Sequence, residues 1–280
     1  MDLTDNFAMF SNRFARAVEE SQGKPFTFDH DGMRTLHLDG RFIQSAMRLS
    51  APNELLLSYT KAMTAFLLLK PAPRHILMIG LGGGSLAKYC YQQLPATRIT
   101  VLESEADVIA LRGAFAIPAD DDRFQVLHAD AASYLAAMTH TVDVILHDGF
   151  DADGLAPGLG NRAFYLECER VLDQDGILVA NLLGDTDELL PTMLDLHAVF
   201  GQALWWADAA ACFNRIVLAK KQATPVPPRA ELLRMAAALE LRGAPALNDF
   251  IERTRSAWGK TRDEFAMMAA YDLDAAFVLA

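Results

Sequence analysis

Cysteine is scarce. Cys90, Cys168 and Cys212 are the only three in 280 residues, odd in number, far apart and without metal-ligand spacing. That pattern argues against a disulfide framework or a zinc site and reads as three buried thiols. Hydrophobic residues make up 52% of the chain, yet no apolar run is long enough to cross a bilayer. The opening MDLTDNFAMFSNRFARAVEE has no secretory h-region. The expectation is a soluble, cytoplasmic protein with no membrane contact. Positive charge is also in short supply: 25 Lys and Arg stand against 36 Asp and Glu, a formal net charge of -11. A nucleic-acid surface needs clustered cations to displace counterions, so no nucleic-acid partner is expected. Such a charge weakly attracts cationic ligands, although solubility alone accounts for it. Internal repeats and low-complexity tracts are absent.

The length allows one large domain with appendages, and three zones stand out. Residues 1–70 carry a small β unit and a buried helix. Short alternating segments between Thr27 and Ser50 flank Asp39-Gly40, a hairpin signal. Glu54 to Lys70, after Pro52 and Asn53, is apolar over much of a helical circumference. Residues 71–222 alternate strand and helix. Strands are predicted at His75–Ile79, Arg98–Leu102, Phe124–Leu127, Val142–Leu146 and Ile177–Asn181, with helical patterns from Ser85, Ala106, Ala131 and Arg162. Runs that are apolar without alternating belong to strands covered on both faces, so the fold class is α/β, a Rossmann-like doubly wound parallel sheet. Ala203–Trp206 and Arg215–Ala219 read as an antiparallel edge hairpin, with one tryptophan inward and the other at an interface. Residues 223–280 open with the proline-rich ATPVPPRAELL and continue as the amphipathic helices RAELLRMAAALELR and LNDFIERTRSAW. These cap the domain or pair two subunits.

The most informative stretch is RHILMIGLGGGSLAKYC, Arg74 to Cys90. A dinucleotide fingerprint on Gly80 and Gly82 needs a third glycine where Ser85 stands, and a P-loop needs a Gly-Lys-Ser/Thr that is missing. What remains is Gly80, Gly82 and Gly84, spaced so that backbone can approach a ligand at the start of a helix. Glu103 closes the next strand, placed to accept hydrogen bonds from ribose hydroxyls. Asp130 and Ala131 follow the third strand, where adenosyl-sulfonium enzymes meet adenine. All three lie on one rim of the sheet. Singly, each has a plainer explanation: a tight turn, or a helix N-cap in the case of Asp130.

Past the fourth strand, VDVILHDGFDADGLAPGL sets Asp148, Asp151 and Asp153 on a loop, where two carboxylates can anchor an ammonium and receive a proton. Asp153 reads as part of a polar turn. Together LHLDGRFIQS, ILMIGLGGGSLAKY, VLESEADVI, VLHADAASYL, DVILHDGFDADG and AFYLECERVLDQDGILVANL resemble, in order and spacing, the polyamine aminopropyltransferases, the spermidine synthase family, over roughly Leu36 to Lys220.

The resemblance implies a sheet of the S-adenosylmethionine-dependent methyltransferase type, and aminopropyl transfer from decarboxylated S-adenosylmethionine to a small-molecule amine, without a metal and in a homodimer. It implies that Gln44, Gly80, Gly82, Gly84 and Ser85 contact the donor, Glu103 its ribose, and Asp130 and Ala131 its adenine. By the same analogy Asp148 is the catalytic carboxylate, Asp151 binds the acceptor amine and Tyr59 flanks the groove. Departures are visible. Ser85 stands where the family has an Asp that pairs with the donor's primary amine, Ala152 replaces a Pro, and AACFNRI replaces a tyrosine-proline segment. A methyltransferase using intact S-adenosylmethionine, or a non-catalytic protein binding a nucleoside or polyamine, are the alternatives. His128 and His147, at strand ends, read as structural imidazoles, and Tyr165 as core.

Overall fold

The computed structural model describes residues 3–151, 154–156, 158–209, 214–225 and 227–270. Helix α1 (Leu3–Ser21) lays Phe10 and Phe14 edge-on against Phe28 of β1 (Phe26–His30), with ring centroids 5.4 and 5.2 Å away. β1, β2 (Met33–His37) and β3 (Ser45–Arg48) form an antiparallel sheet in that order. Its tight turn is at Asp31-Gly32, where φ is 49° and 73°, the left-handed pair that a two-residue hairpin needs. Asp39-Gly40, read from sequence as a hairpin signal, lies in the wider connection between β2 and β3.

The helix expected over Glu54–Lys70 is shorter, because α2 (Ser58–Met63) passes into a 3-10 turn at Thr64–Leu68. The hydroxyls of Thr60 and Thr64 bond back to the carbonyls of Leu57 and Lys61, local bonds that compete with a regular helix.

The alternating zone follows as β4 (His75–Ile79), α3 (Ser85–Gln93), β5 (Arg98–Glu103), α4 (Ala106–Ala110), β6 (Phe124–His128), α5 (Ala131–Ala137) and β7 (Val142–His147). After β8 (Phe150–Asp151) and β9 (Gly154–Leu155) come α6 (Arg162–Val171), β10 (Leu172–Leu183), α7 (Thr186–Phe200), β11 (Leu204–Asp208) and β12 (Asn214–Lys220). The chain continues through α8 (Arg229–Glu240), α9 (Asn248–Arg253), β13 (Arg255–Ser256) and α10 (Arg262–Ala270). One eight-stranded sheet runs β13-β11-β12-β10-β7-β4-β5-β6. From β10 to β6 it is parallel, while β12 is antiparallel to both β10 and β11. Strand residues alternate between two apolar layers, Ile76 and Met78 entering one and Leu77 and Ile79 the other. The strand order reverses between β4 and β7, and ligands of open α/β sheets bind outside the strand C-termini at such a reversal.

Several sequence readings change. The hairpin of β11 and β12 exists, but β13 pairs outside β11 through Trp205↔Ser256 and Trp206↔Arg255, so the hairpin is not the sheet's edge. Both tryptophans are buried, on opposite faces, because adjacent strand residues point to opposite sides of a sheet covered on both. LNDFIERTRSAW is a single turn-rich helix followed by that edge strand. Helix α7, unanticipated, starts with a capping box between Asp185 and Glu188. Cys90 and Cys168 are buried free thiols and Tyr165 is core. Cys212, Ala152, Asp153 and most of AACFNRI lie outside the described residues. No described helix is long and apolar enough to cross a membrane.

Candidate active site

The C-terminal ends of β4, β5, β6 and β7 open onto one cavity of about 970 Å³, a volume suited to a nucleoside with a second small molecule. At the end of β4, Gly80 has φ +92°, and a Cβ there would overlap the carbonyl oxygen of Asp148. Only glycine lets the two strand ends cross this closely. Gly82 and Ser85 line the cavity, with Gln44 of the β2–β3 connection and Ser45 of β3 lining it too. Gly84 caps α3 from behind the turn, where a Cβ would meet Ile117 at 2.5 Å, and is not part of the cavity wall. Its need for glycine is packing and a left-handed φ.

Glu103, at the end of β5, is 8% exposed and anchored at both oxygens. Oε2 accepts the Leu81 N–H and Oε1 the Glu105 N–H, each at 2.9 Å. The glycine turn and the carboxylate therefore hold each other in place, and each oxygen keeps a lone pair for a ligand. Asp130 fills two roles: it caps α5, accepting the Ser133 N–H at 2.8 Å, and it lines the cavity beside the buried Ala131. Hydrogen bonds from Ser133 hold its carboxyl below the usual range.

Asp148 follows β7, lines the cavity and is partly exposed. Asn181 Nδ2 donates to Oδ1 at 2.7 Å and the Tyr59 hydroxyl to Oδ2 at 3.4 Å. Burial outweighs both bonds and pushes the carboxyl up to about 6. Asp151 and Tyr59 line the same cavity. His147 points the other way: its Nε2 donates to the Leu159 carbonyl at 2.8 Å, and burial pushes it down to about 4, so it is a neutral structural imidazole. His128 is exposed and bonds the Ser104 carbonyl.

Among the cavity residues that escape the sequence reading are Asn181 at the end of β10, Asn214 at the start of β12 and Glu188 in the first turn of α7. The two asparagines carry a usable signal, each an amide beside an apolar run, Ile177–Ala180 for Asn181 and Ile216–Ala219 for Asn214. Glu188 has the capping-box spacing from Asp185. Among the described residues no group of three or more His, Cys, Asp or Glu is placed to hold a metal ion.

The strand order, the glycine turn and the acidic residues at successive strand ends define a Rossmann-like sheet of the S-adenosylmethionine-dependent methyltransferase type. A family profile described as "Spermine/spermidine synthase domain" matches residues 56–200, and the chain belongs to that family. It is 32% identical to a polyamine aminopropyltransferase of Chromobacterium violaceum over 244 residues, 87% of this chain and 94% of that protein. A polyamine aminopropyltransferase of Neisseria meningitidis is 41% identical over 155 residues, 55% of this chain. That match spans 59% of the Neisseria protein's length. A crystal structure of a probable spermidine synthase from Corynebacterium glutamicum superposes with a TM-score of 0.67 at 17% identity, covering 88% of this chain and 90% of that one. At that identity the likeness speaks to fold alone.

Proposed function

We propose that the protein transfers an aminopropyl group from decarboxylated S-adenosylmethionine to a small amine. The observation that carries this reading is Asp148, a partly buried carboxylate with its proton affinity raised to about 6, sharing one cavity with Glu103. Glu103 accepts the donor's ribose hydroxyls, Asp130 and Ala131 bound its adenine, and Gln44, Gly80, Gly82 and Ser85 border its tail. Gly84 shapes the turn without touching the donor. Asp151 and Tyr59 hold the acceptor amine beside Asp148.

The bound donor supplies a sulfonium-activated carbon. A free alkylammonium is overwhelmingly protonated at neutral pH, with a pKa of about 10. Asp148 orients the amine and takes its proton as the nitrogen bonds to carbon and the C–S electron pair returns to sulfur, leaving a neutral thioether. A carboxylate raised by burial is a better base for that step, and the acidic cavity stabilises the positive charge in transit. The test is Asp148→Asn: turnover with a panel of amines should fall by about 100-fold or more, while methylthioadenosine binding by calorimetry stays within about twofold. Undiminished turnover rejects the assignment.

One observation favours a second reading, methyl transfer from intact S-adenosylmethionine. Helix α3 has no acidic residue in its first turn, where Ser85 begins the helix, so nothing there repels a carboxylate. Titration with both donors separates the readings, since a clear preference for the intact form overturns the first.

A further inference from the structure

Asn181 and Asn214 have no role in the assignments above, yet both are buried polar side chains, 2% and 9% exposed. They form a directed chain. Asn214 Nδ2 donates to Asn181 Oδ1 at 3.0 Å, and Asn181 Nδ2 donates to Asp148 Oδ1 at 2.7 Å. The sheet register builds it: Asn181 faces Ile216 across the antiparallel β10–β12 pair, which places Asn214 diagonally on the same side, while Ala180 pairs with His147 and brings Asn181 level with Asp148.

An ionised carboxylate only accepts hydrogen bonds, so Asn181 must offer it the NH2 end and turn its carbonyl away. That carbonyl needs a donor, and Asn214 is the donor. We propose that Asn214 is a positioning residue for Asp148: by fixing the amide of Asn181 it keeps Oδ1 occupied by an N–H and leaves Oδ2, beside the Tyr59 hydroxyl, to meet the substrate amine and receive its proton. The amine's part in this rests on the transfer reading above; the orientation of the amide does not. Tyr59 from α2, Asp151 from β8 and Glu188 from α7 line the same cavity, and His147, the neighbour in sequence, is neutral and faces the Leu159 carbonyl.

The isosteric change Asn214→Asp replaces the donor by an acceptor and adds a negative charge near Asp148, so a neutral variant has to accompany it. Asn181 then turns its NH2 toward the new carboxylate and its carbonyl toward Asp148, and two acceptors face each other unless Asp148 keeps its proton. The readout is the carboxyl 13C shift of Asp148 against pH in the full chain, assigned by its disappearance in Asp148→Asn. The titration near 6 in the unaltered protein should move up by about one pH unit in Asn214→Asp. It should move less, but the same way, in Asn214→Ala, where no charge is added, and this variant decides the proposal, with Asn214→Leu as the second neutral change should Ala not fold. An unmoved titration in the folded neutral variant, even with lowered stability, assigns Asn214 to packing and overturns the proposal. Because the measurement needs no turnover, it stands apart from the transfer reading: a shifted titration in a protein inactive with every donor and amine would sink the reaction alone.

Discussion

Asp148 is partly buried and given hydrogen bonds by Asn181 and Tyr59, and burial wins that contest. The sign of the resulting pH dependence follows directly. The native state binds the proton more tightly than the unfolded chain, in which an aspartate titrates at 3.8. The group's contribution to stability is thus present below the unfolded value and is lost as pH rises through about 6. Over that window the unaltered protein should lose on the order of 2 kcal/mol more than Asp148→Asn, as read by urea denaturation at several pH values. Equal slopes in the two proteins would contradict the raised affinity. Activity runs opposite, since the base must be free: kcat/KM should rise with pH through the same region. Glu103 differs in kind, because both its oxygens already serve backbone N–H groups. Glu103→Gln sets an NH2 against one of them, so methylthioadenosine affinity should fall by about tenfold or more with loss of about 1–3 kcal/mol of stability. Calorimetry showing unchanged affinity would remove Glu103 from the donor site.

The elements carry these side chains by close crossing of strand ends, and the glycines divide accordingly. A Cβ on Gly80 would overlap the Asp148 carbonyl, whereas one on Gly82 meets nothing closer than Ser45 Cβ at 3.9 Å. Gly80→Ala should therefore cost about 2–4 kcal/mol and displace Asp148. Gly82→Ala should cost about 1 kcal/mol from its positive φ while weakening nucleoside binding. Thermal melts with and without methylthioadenosine distinguish them, and equal destabilisation would refute the crossing geometry. The same contrast explains what the sequence made legible. Parallel strands buried on both faces read as unbroken apolar runs, and acids at their ends stand out, so β4, β5, β6, β7 and β10, with Glu103, Asp130 and Asp148, were visible. Strand β13 was not, because two residues gain strand geometry only from pairing with β11. Asn181 and Asn214 stayed hidden for a related reason. They are distant in sequence, and only the register of β10 with β12 makes them neighbours. Helix α7 was masked by Pro191 in its interior.

For the whole molecule, the formal charge is -11, and Glu103, Glu105, Asp130, Asp148, Asp151 and Glu188 line the cavity against one cation among its described lining residues, Arg41. A cleft lined mostly by one sign of charge draws in ligands of the other and raises their encounter rate. If donor and acceptor are both cations, kcat/KM for the amine should fall several-fold between about 0.05 and 0.5 M salt, as the screening length shrinks from over 10 Å to about 4 Å. The chemical step takes place inside the enclosed cavity, where mobile ions screen poorly, so kcat should change by less than about twofold. A neutral ligand supplies the control: methylthioadenosine carries no charge, and its affinity should be flat over the same range. Salt acting on kcat rather than on kcat/KM, or equally on methylthioadenosine, would mean that the acidic lining serves solubility and not recognition.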